Sequence, residues 1–158
     1  MQAIQLSPFD TLEICFRLLS TGPACLALDG HRVGHGLPAR LIPLRELRVL
    51  LQHPAATGDL QRVVLEELVH RAMRQGERWV VAVAGVLLPG LRRIAASVAS
   101  VDGRAAGHVE ADLLELVRDA IGQHTSRAVE LALSVLQFAV PCHPSSPRPM
   151  GRRDPLGA

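Results

Sequence analysis

The chain has 158 residues, the length of one domain with a sizeable core, and 48% of them are hydrophobic. Only 3% are aromatic and none is tyrosine, so Leu, Val, Ile and Ala must build the core, a composition that favours helices. All basic residues are arginines, and the net charge of +2 is too small to predict a nucleic-acid partner by itself.

The cysteines and the most apolar segment bear on the cellular compartment. Cys15, Cys25 and Cys142 are odd in number and form no CxxC pair, which is typical of a reducing cytoplasm. The N-terminus lacks the basic and apolar regions of a signal peptide. The uncharged run 79–91 is shorter than the roughly 20 residues that a membrane-spanning helix needs. We therefore expect a cytoplasmic protein with no membrane segment.

The first part of the chain predicts a short helix and then a hairpin. Ser7 or Asp10 can cap a helix that runs through Leu19. The Asp-Gly pair at 29–30 lies between short apolar runs, which is a hairpin signal. We therefore predict a small β-hairpin over residues 25–42.

Helices are predicted from residue 43 onward. Pro43 suits the first turn of a helix, and an amphipathic helix follows over 59–75. The next segment, 77–88, is apolar on nearly every face, which predicts a central buried helix, although its valines leave a buried strand open. Pro89 predicts a kink or a restart of this helix. In the continuation, Arg92 and Arg93 fall outside the apolar stripe and should face solvent.

The last third predicts two helices and a tail. A flexible connector over 101–108 leads into an acidic amphipathic helix, and a final helix ends at Pro141. The Pro-, Ser- and Arg-rich segment 141–158 is predicted to be a disordered tail. The predicted fold is mainly α, an orthogonal helical bundle with a small N-terminal β-hairpin, in a single domain over 1–140.

The sequence contains no motif that fixes an enzymatic activity. Walker, GxGxxG, GxSxG and HExxH motifs are all absent, and no nucleophile and base can be paired. The candidate zinc ligands are Cys25, His31, His35, Cys142 and His143. Their spacing matches no common zinc site. We therefore expect no metal, no cofactor and no enzyme.

One segment resembles a known family. The sequence LPGLRRIAASVASVDGRAAGHVEADLLELVRDAI, residues 88–121, resembles region 2 of the sigma-70 family of RNA polymerase initiation factors. Leu88, Leu91, Arg92, Arg93 and Ala95 match a helix of the form L-x-x-L-x-R-x-A, and residues 110–115 match the acidic helix that follows it. Residues 26–122 are also similar to proteins of high-GC bacteria that carry a degenerate sigma-like region.

The resemblance implies a transcription-associated protein that binds core RNA polymerase, DNA or both. The residues implied in contacts with nucleic acid or a partner are Arg78, Arg92, Arg93 and Arg104. The residues implied in contacts with polymerase are Glu110, Asp112 and Glu115. The final predicted helix carries only Arg127 and Phe138 as basic and aromatic residues, so it is poorly suited to opening a duplex.

A second interpretation is a helical protein–protein interaction module without a nucleic-acid role. Several predicted helices are apolar on most faces for so short a chain, which favours self-association as a homo-oligomer. The sequence leaves this interpretation and the sigma-like one open.

Overall fold

The computed structural model describes residues 3–139, a mainly α-helical fold with a small two-stranded sheet near the N-terminus, which confirms the predicted fold class. The predicted tail, 141–158, lies outside the described residues. The elements are, in chain order, α1 (Pro8–Ser20), β1 (Ala27–Asp29), α2 (Gly30–Val33), β2 (Leu41–Pro43), α3 (Leu44–Gln52), α4 (Gly58–Gln75), α5 (Glu77–Asp102), α6 (Ala106–Gln123) and α7 (Thr125–Ala139).

Helix α5 is the centre of the fold. It packs against α1, α3, α4, α6 and α7, and residues 82–88 are buried without interruption. A helix that is apolar all round needs neighbours on every side, which is why the other helices surround it. The predicted central helix is therefore confirmed, and its valines do not form a strand.

Helix α5 also has the length and hydropathy of a membrane span. Its most apolar window has a mean hydropathy of 1.5, and 56% of that window is buried within the protein. The core helix of a soluble protein combines the same length with the same burial. The bundle around α5 thus accounts for its apolar character.

Of the kink or restart predicted at Pro89, the restart is wrong, because α5 continues as one helix through that residue. Proline has no N–H, so the carbonyl of Gly85 loses its helical partner. The Nη1 of Arg48 donates a hydrogen bond to this carbonyl oxygen at 3.2 Å. One turn along α3, the Nε2 of Gln52 donates to the carbonyl of Val86 at 3.4 Å. Helix α3 thus supplies the donors that allow α5 to continue.

Arg48 also joins α3 to α1. Its Nη1 and Nη2 donate to the two carboxylate oxygens of Glu13 at 2.8 and 3.0 Å, and its guanidinium lies 4.5 Å from the centroid of the Phe16 ring. The two charged side chains are only 18% and 17% exposed. Their hydrogen bonds hold the pKa of the Glu13 carboxyl below its usual value. A bidentate ion pair of this kind fixes the orientation of the two side chains as well as their distance.

Two glycines let neighbouring helices approach α5 closely. A Cβ added to Gly85 would lie 2.0 Å from Cδ2 of Phe16, on α1. A Cβ added to Gly90 would lie 2.2 Å from the carbonyl oxygen of Val135, on α7. Both glycines are therefore required by packing, although each lowers the intrinsic stability of the helix.

The sheet lies where the hairpin was predicted, but it is not a tight hairpin. Strands β1 and β2 pair antiparallel, with Leu28 opposite Ile42. The Asp-Gly pair does not form the turn, because the side chain of Asp29 caps α2 by accepting from the N–H of His31 at 3.0 Å. Gly30 is required for close packing instead, since a Cβ there would lie 2.0 Å from the carbonyl oxygen of Pro38. Pro43 ends β2, and the following helix begins at Leu44.

We predict that Arg48 and Pro89 are energetically coupled. Arg48→Met should lower the free energy of unfolding by about 1–3 kcal/mol, because it leaves the Gly85 carbonyl without its side-chain donor and the Glu13 carboxylate with only Arg17 as a partner. In a Pro89→Ala background the loss should be smaller by at least about 0.5 kcal/mol, because the new N–H can bond to Gly85. Urea denaturation of the two single variants and the double variant measures this coupling.

The control cycle pairs Arg48→Met with Val101→Ala, at the exposed end of α5. Changes at these separated sites should add within about 0.5 kcal/mol. An equally additive result for Arg48 and Pro89 would show that the hydrogen bond to Gly85 does not compensate for the proline.

We also predict that Gly90→Ala lowers the free energy of unfolding by about 1–3 kcal/mol, because the new methyl group would collide with the backbone of α7. The matched control is Gly107→Ala, in α6, where an added Cβ has nothing within 4 Å. The control should raise stability by less than about 1 kcal/mol. Thermal denaturation compares the two variants, and similar effects would contradict the close packing at Gly90.

Candidate functional site

Helices α5 and α6 form a helical hairpin that carries most of the predicted site residues. Gly103, with a φ of 62°, ends α5, and its N–H donates to the carbonyl of Ala99 at 3.2 Å. Helix α6 begins at Ala106, so the predicted connector over 101–108 is shorter than expected. A short connection between two packed helices makes them antiparallel. The second half of α5 therefore lies beside the first half of α6.

Arg92 and Glu110 meet at the start of α1. The Oε2 of Glu110 accepts a hydrogen bond from the backbone N–H of Phe9 at 3.0 Å. The Nη2 of Arg92 donates to Oδ1 of Asp10 at 3.4 Å, and its guanidinium lies 5.8 Å from the centroid of the Phe9 ring. Hydrogen bonds with Ser7, followed by the contact with Arg92, hold the pKa of the Asp10 carboxyl below its usual value. The negative charge of Glu110 is stabilising at the helix N-terminus, and Arg92 adds its contact with Asp10, so both residues anchor α1.

A cavity of about 200 Å³ lies beside this anchor. Arg92, Glu110 and the Phe9 ring line it together with alanines of α5 and α6. The cavity is smaller than the roughly 300–1,000 Å³ of typical ligand sites. Its two charged residues already have partners within the protein, so it offers little to a ligand.

Arg104 and Asp112, predicted to contact different partners, contact each other. The Nη2 of Arg104 lies 2.7 Å from Oδ2 of Asp112, and the two side chains are 50% and 58% exposed. An exposed pair of this kind contributes little to stability and remains accessible to another molecule.

The predicted basic residues do not form one continuous patch. Arg93 is exposed and forms no ion pair with the residues that the structure describes. Arg78 is exposed at the start of α5 and donates to the carbonyl of Ala24 at 3.3 Å. The rise of 1.5 Å per residue places Arg78 and Arg93 about 22 Å apart along the helix axis. Arg78 and Arg93 are therefore too far apart to contact the same short stretch of phosphates.

The outward side of α6 carries a distinct group of side chains, which we call the acidic face. Its members are exposed and follow helical spacing: Asp112, Glu115, Leu116 and Asp119. Leu116 is 50% exposed between the carboxylates. The nearby Arg118 is directed to α5, where it pairs with Glu77. The acidic face thus combines an apolar side chain with an excess of negative charge.

A second surface, which the sequence analysis missed, lies between α2, α4 and the start of α7, and we call it the α4 groove. It consists of two cavities of about 630 and 660 Å³ that share Arg32, Glu67, His70 and Arg71. Arg62 lines one cavity and Arg74 the other. Basic residues thus follow the whole groove, whereas its carboxylates are Asp29, Glu66 and Glu67.

Some of these charges already have partners. Arg71 pairs with Glu67, four residues earlier on α4, at 2.7 Å, and its guanidinium lies 4.9 Å from the centroid of the Trp79 ring. Arg62 pairs with Glu130 of α7 at 2.8 Å, and this pair is the main cause of the raised pKa of its guanidinium. Arg62, Glu67 and Arg71 line the groove, and Glu130 is not among the lining residues.

A local signal for the α4 groove is present in the sequence, since His70, Arg71 and Arg74 are neighbours on one helix. Other lining residues come from distant segments, including Arg32 of α2 and Ser126 of α7. No pattern along the chain predicts that these segments meet, because packing around α5 brings them together.

The residues considered as zinc ligands do not form a cluster. Cys25 is half-buried, and His31 and His35 are exposed. Between residues 3 and 139, no group of three or more His, Cys, Asp or Glu side chains could hold a metal ion. Cys142 and His143 lie outside the described residues.

No protein-family model, no curated protein and no solved structure matches this chain. The resemblance to sigma-70 region 2 therefore depends on the residues of the α5–α6 hairpin themselves.

We predict that Glu110→Ala lowers the free energy of unfolding by about 0.5–2 kcal/mol, because it removes the acceptor at the N-terminus of α1. The matched control is Glu115→Ala, one helical turn and one residue further along α6, where the side chain is exposed. This control should change stability by less than about 0.5 kcal/mol. Urea denaturation followed by circular dichroism compares them, and equal effects would argue against an anchoring role for Glu110.

Proposed function

We propose that this chain is a sigma-like, transcription-associated cytoplasmic protein that binds core RNA polymerase through the acidic face of α6. The observation that carries the proposal is the outward direction of Glu115, Leu116 and Asp119 from one side of one helix. The sigma-70 resemblance assigns polymerase contact to the same helix.

The acidic face has the character of a docking surface. Glu115 and Asp119 form no ion pair with any residue between 3 and 139, so their charges are available to a partner. Leu116 supplies an apolar anchor among them. Protein interfaces combine an apolar centre with a polar rim, and complementary charge increases the rate of association. The partner that fits is a basic protein surface with an apolar pocket.

The geometry favours polymerase over DNA as the partner. DNA affinity depends on several cations that contact neighbouring phosphates. Arg92 is held at Asp10 and Arg104 at Asp112, while Arg78 lies far from both along α5. Only Arg93 of the predicted basic residues has no partner within the described part of the chain. This set of cations is small and dispersed, whereas the carboxylates of α6 are close together.

The test measures binding of the purified protein to core RNA polymerase at low salt. Neutralising the acidic face in Glu115→Gln/Asp119→Asn should raise Kd about tenfold, which corresponds to about 1.4 kcal/mol. Leu116→Ala should also weaken binding, by loss of the apolar anchor. The matched control, Asp59→Asn/Glu66→Gln, removes two exposed carboxylates from α4 and should leave Kd nearly unchanged.

Two outcomes would contradict the proposal. Equal weakening by the acidic-face and α4 variants would show a general effect of net charge. Absence of wild-type binding would favour the alternative of a self-associating interaction module. That alternative has one observation of its own, because Ile14 and Leu18 on the outer side of α1 are 45% and 70% exposed.

A further inference from the structure

We propose that the α4 groove binds a small phosphorylated compound whose neutral part carries hydroxyl groups. The phosphate lies at the end formed by Arg32, His70 and Arg74, and the hydroxyl-bearing part extends toward Glu66 and the start of α7. This site is separate from the acidic face of α6 and does not depend on the proposed polymerase contact.

The dimensions of the groove suit a small molecule. Its two cavities, of about 630 and 660 Å³, lie within the roughly 300–1,000 Å³ of typical ligand sites. Three separate segments line it, with Arg32 from α2, α4 along its length, and Ser126 from α7. Residues from three rigidly packed segments can contact a ligand from several directions at once, which a single exposed helix face cannot do.

The positive charge that is free for a ligand belongs to Arg32 and Arg74, which both line the cavity of about 660 Å³. Arg62 and Arg71 are neutralised by Glu130 and Glu67. Arg32 forms no ion pair with the described residues, and Arg74 contacts only the His70 ring, at 3.3 Å.

The chemistry of these side chains points to a phosphate group. Two unneutralised guanidinium groups and an imidazole line the same cavity. The planar fork of arginine matches the oxygens of a phosphate, and charge-assisted hydrogen bonds of this kind are about twice as strong as neutral ones. A phosphate at this end would neutralise charges that the protein itself leaves without partners.

The other end of the groove has a different chemistry. The carboxylate of Glu66 can accept hydrogen bonds from hydroxyl groups, and Thr125 and Ser126 supply hydroxyls of their own. Val33, Val63 and Val129 provide apolar contact, and no Phe, Tyr or Trp is among the described lining residues. A sugar ring fits this mixture, whereas a flat base would have only the His70 imidazole to stack on, and this ring is assigned to the phosphate.

The experiment is isothermal titration calorimetry of the full chain at low salt, in a buffer without phosphate or sulfate. The probes are ribose 5-phosphate, inorganic phosphate and ribose. Ribose 5-phosphate should bind with one-to-one stoichiometry, inorganic phosphate more weakly at the same site, and ribose more weakly still. The two parts of the ligand are thereby tested separately.

The deciding variant is Arg32→Gln/Arg74→Gln, with Arg17→Gln/Arg45→Gln as its matched control. All four arginines are exposed, so neither double variant should unfold the protein, which circular dichroism checks. The groove variant should raise Kd for ribose 5-phosphate about tenfold for each arginine removed, and the control by less than about threefold.

Equal weakening in both double variants would overturn the proposal, because it would mean attraction to net positive charge alone. Absence of wild-type binding to both phosphate probes would overturn it as well. Equal affinity for ribose 5-phosphate and inorganic phosphate would overturn the assignment of the second end of the groove to a hydroxyl-bearing group.

Discussion

The fold depends on the hydrogen bond from Arg48 to the carbonyl of Gly85. This carbonyl would otherwise be a buried acceptor that Pro89 has left without a donor, and such groups are costly. Because α3 supplies the donor, α5 continues as one helix of 26 residues and can contact five other helices. The same guanidinium holds Glu13, so the direction of α1 is set by the residue that stabilises α5.

The position of α1 in turn decides which predicted site residues are free. Its first turn lies against Arg92 and Glu110, which anchor it by a contact with Asp10 and a hydrogen bond from the Phe9 N–H. Arg92 and Glu110, which the sequence pattern assigns to contacts with a partner, thus hold α1 against the α5–α6 hairpin. Arg93 and the acidic face are the parts of the α5–α6 hairpin that remain free to contact a partner. Polymerase binding is therefore assigned to the carboxylates of α6 more than to the arginines of α5.

The two proposed surfaces differ in what they require of the fold. The acidic face needs only one helix with exposed residues at helical spacing, so it forms whenever residues 112–119 of this chain are helical. The α4 groove needs α2, α4 and α7 to meet, and it therefore depends on the packing of α4 and α7 against α5 and against each other. A substitution that moves α7, such as one at Gly90, should disturb the groove before it disturbs the acidic face.

The sequence by itself determined the class of fold, the buried central helix and the place of the small sheet, because each depends on residues that are near one another along the chain. Only the tertiary structure decided the continuity of α5 through Pro89, since the compensating donor lies 37 positions away in sequence. It also decided that Glu110 caps a helix 101 positions away and that Arg32 reaches the α4 groove. Periodicity shows which side of a helix is apolar, but the partner of an exposed or half-buried charge depends on which distant segment packs beside it.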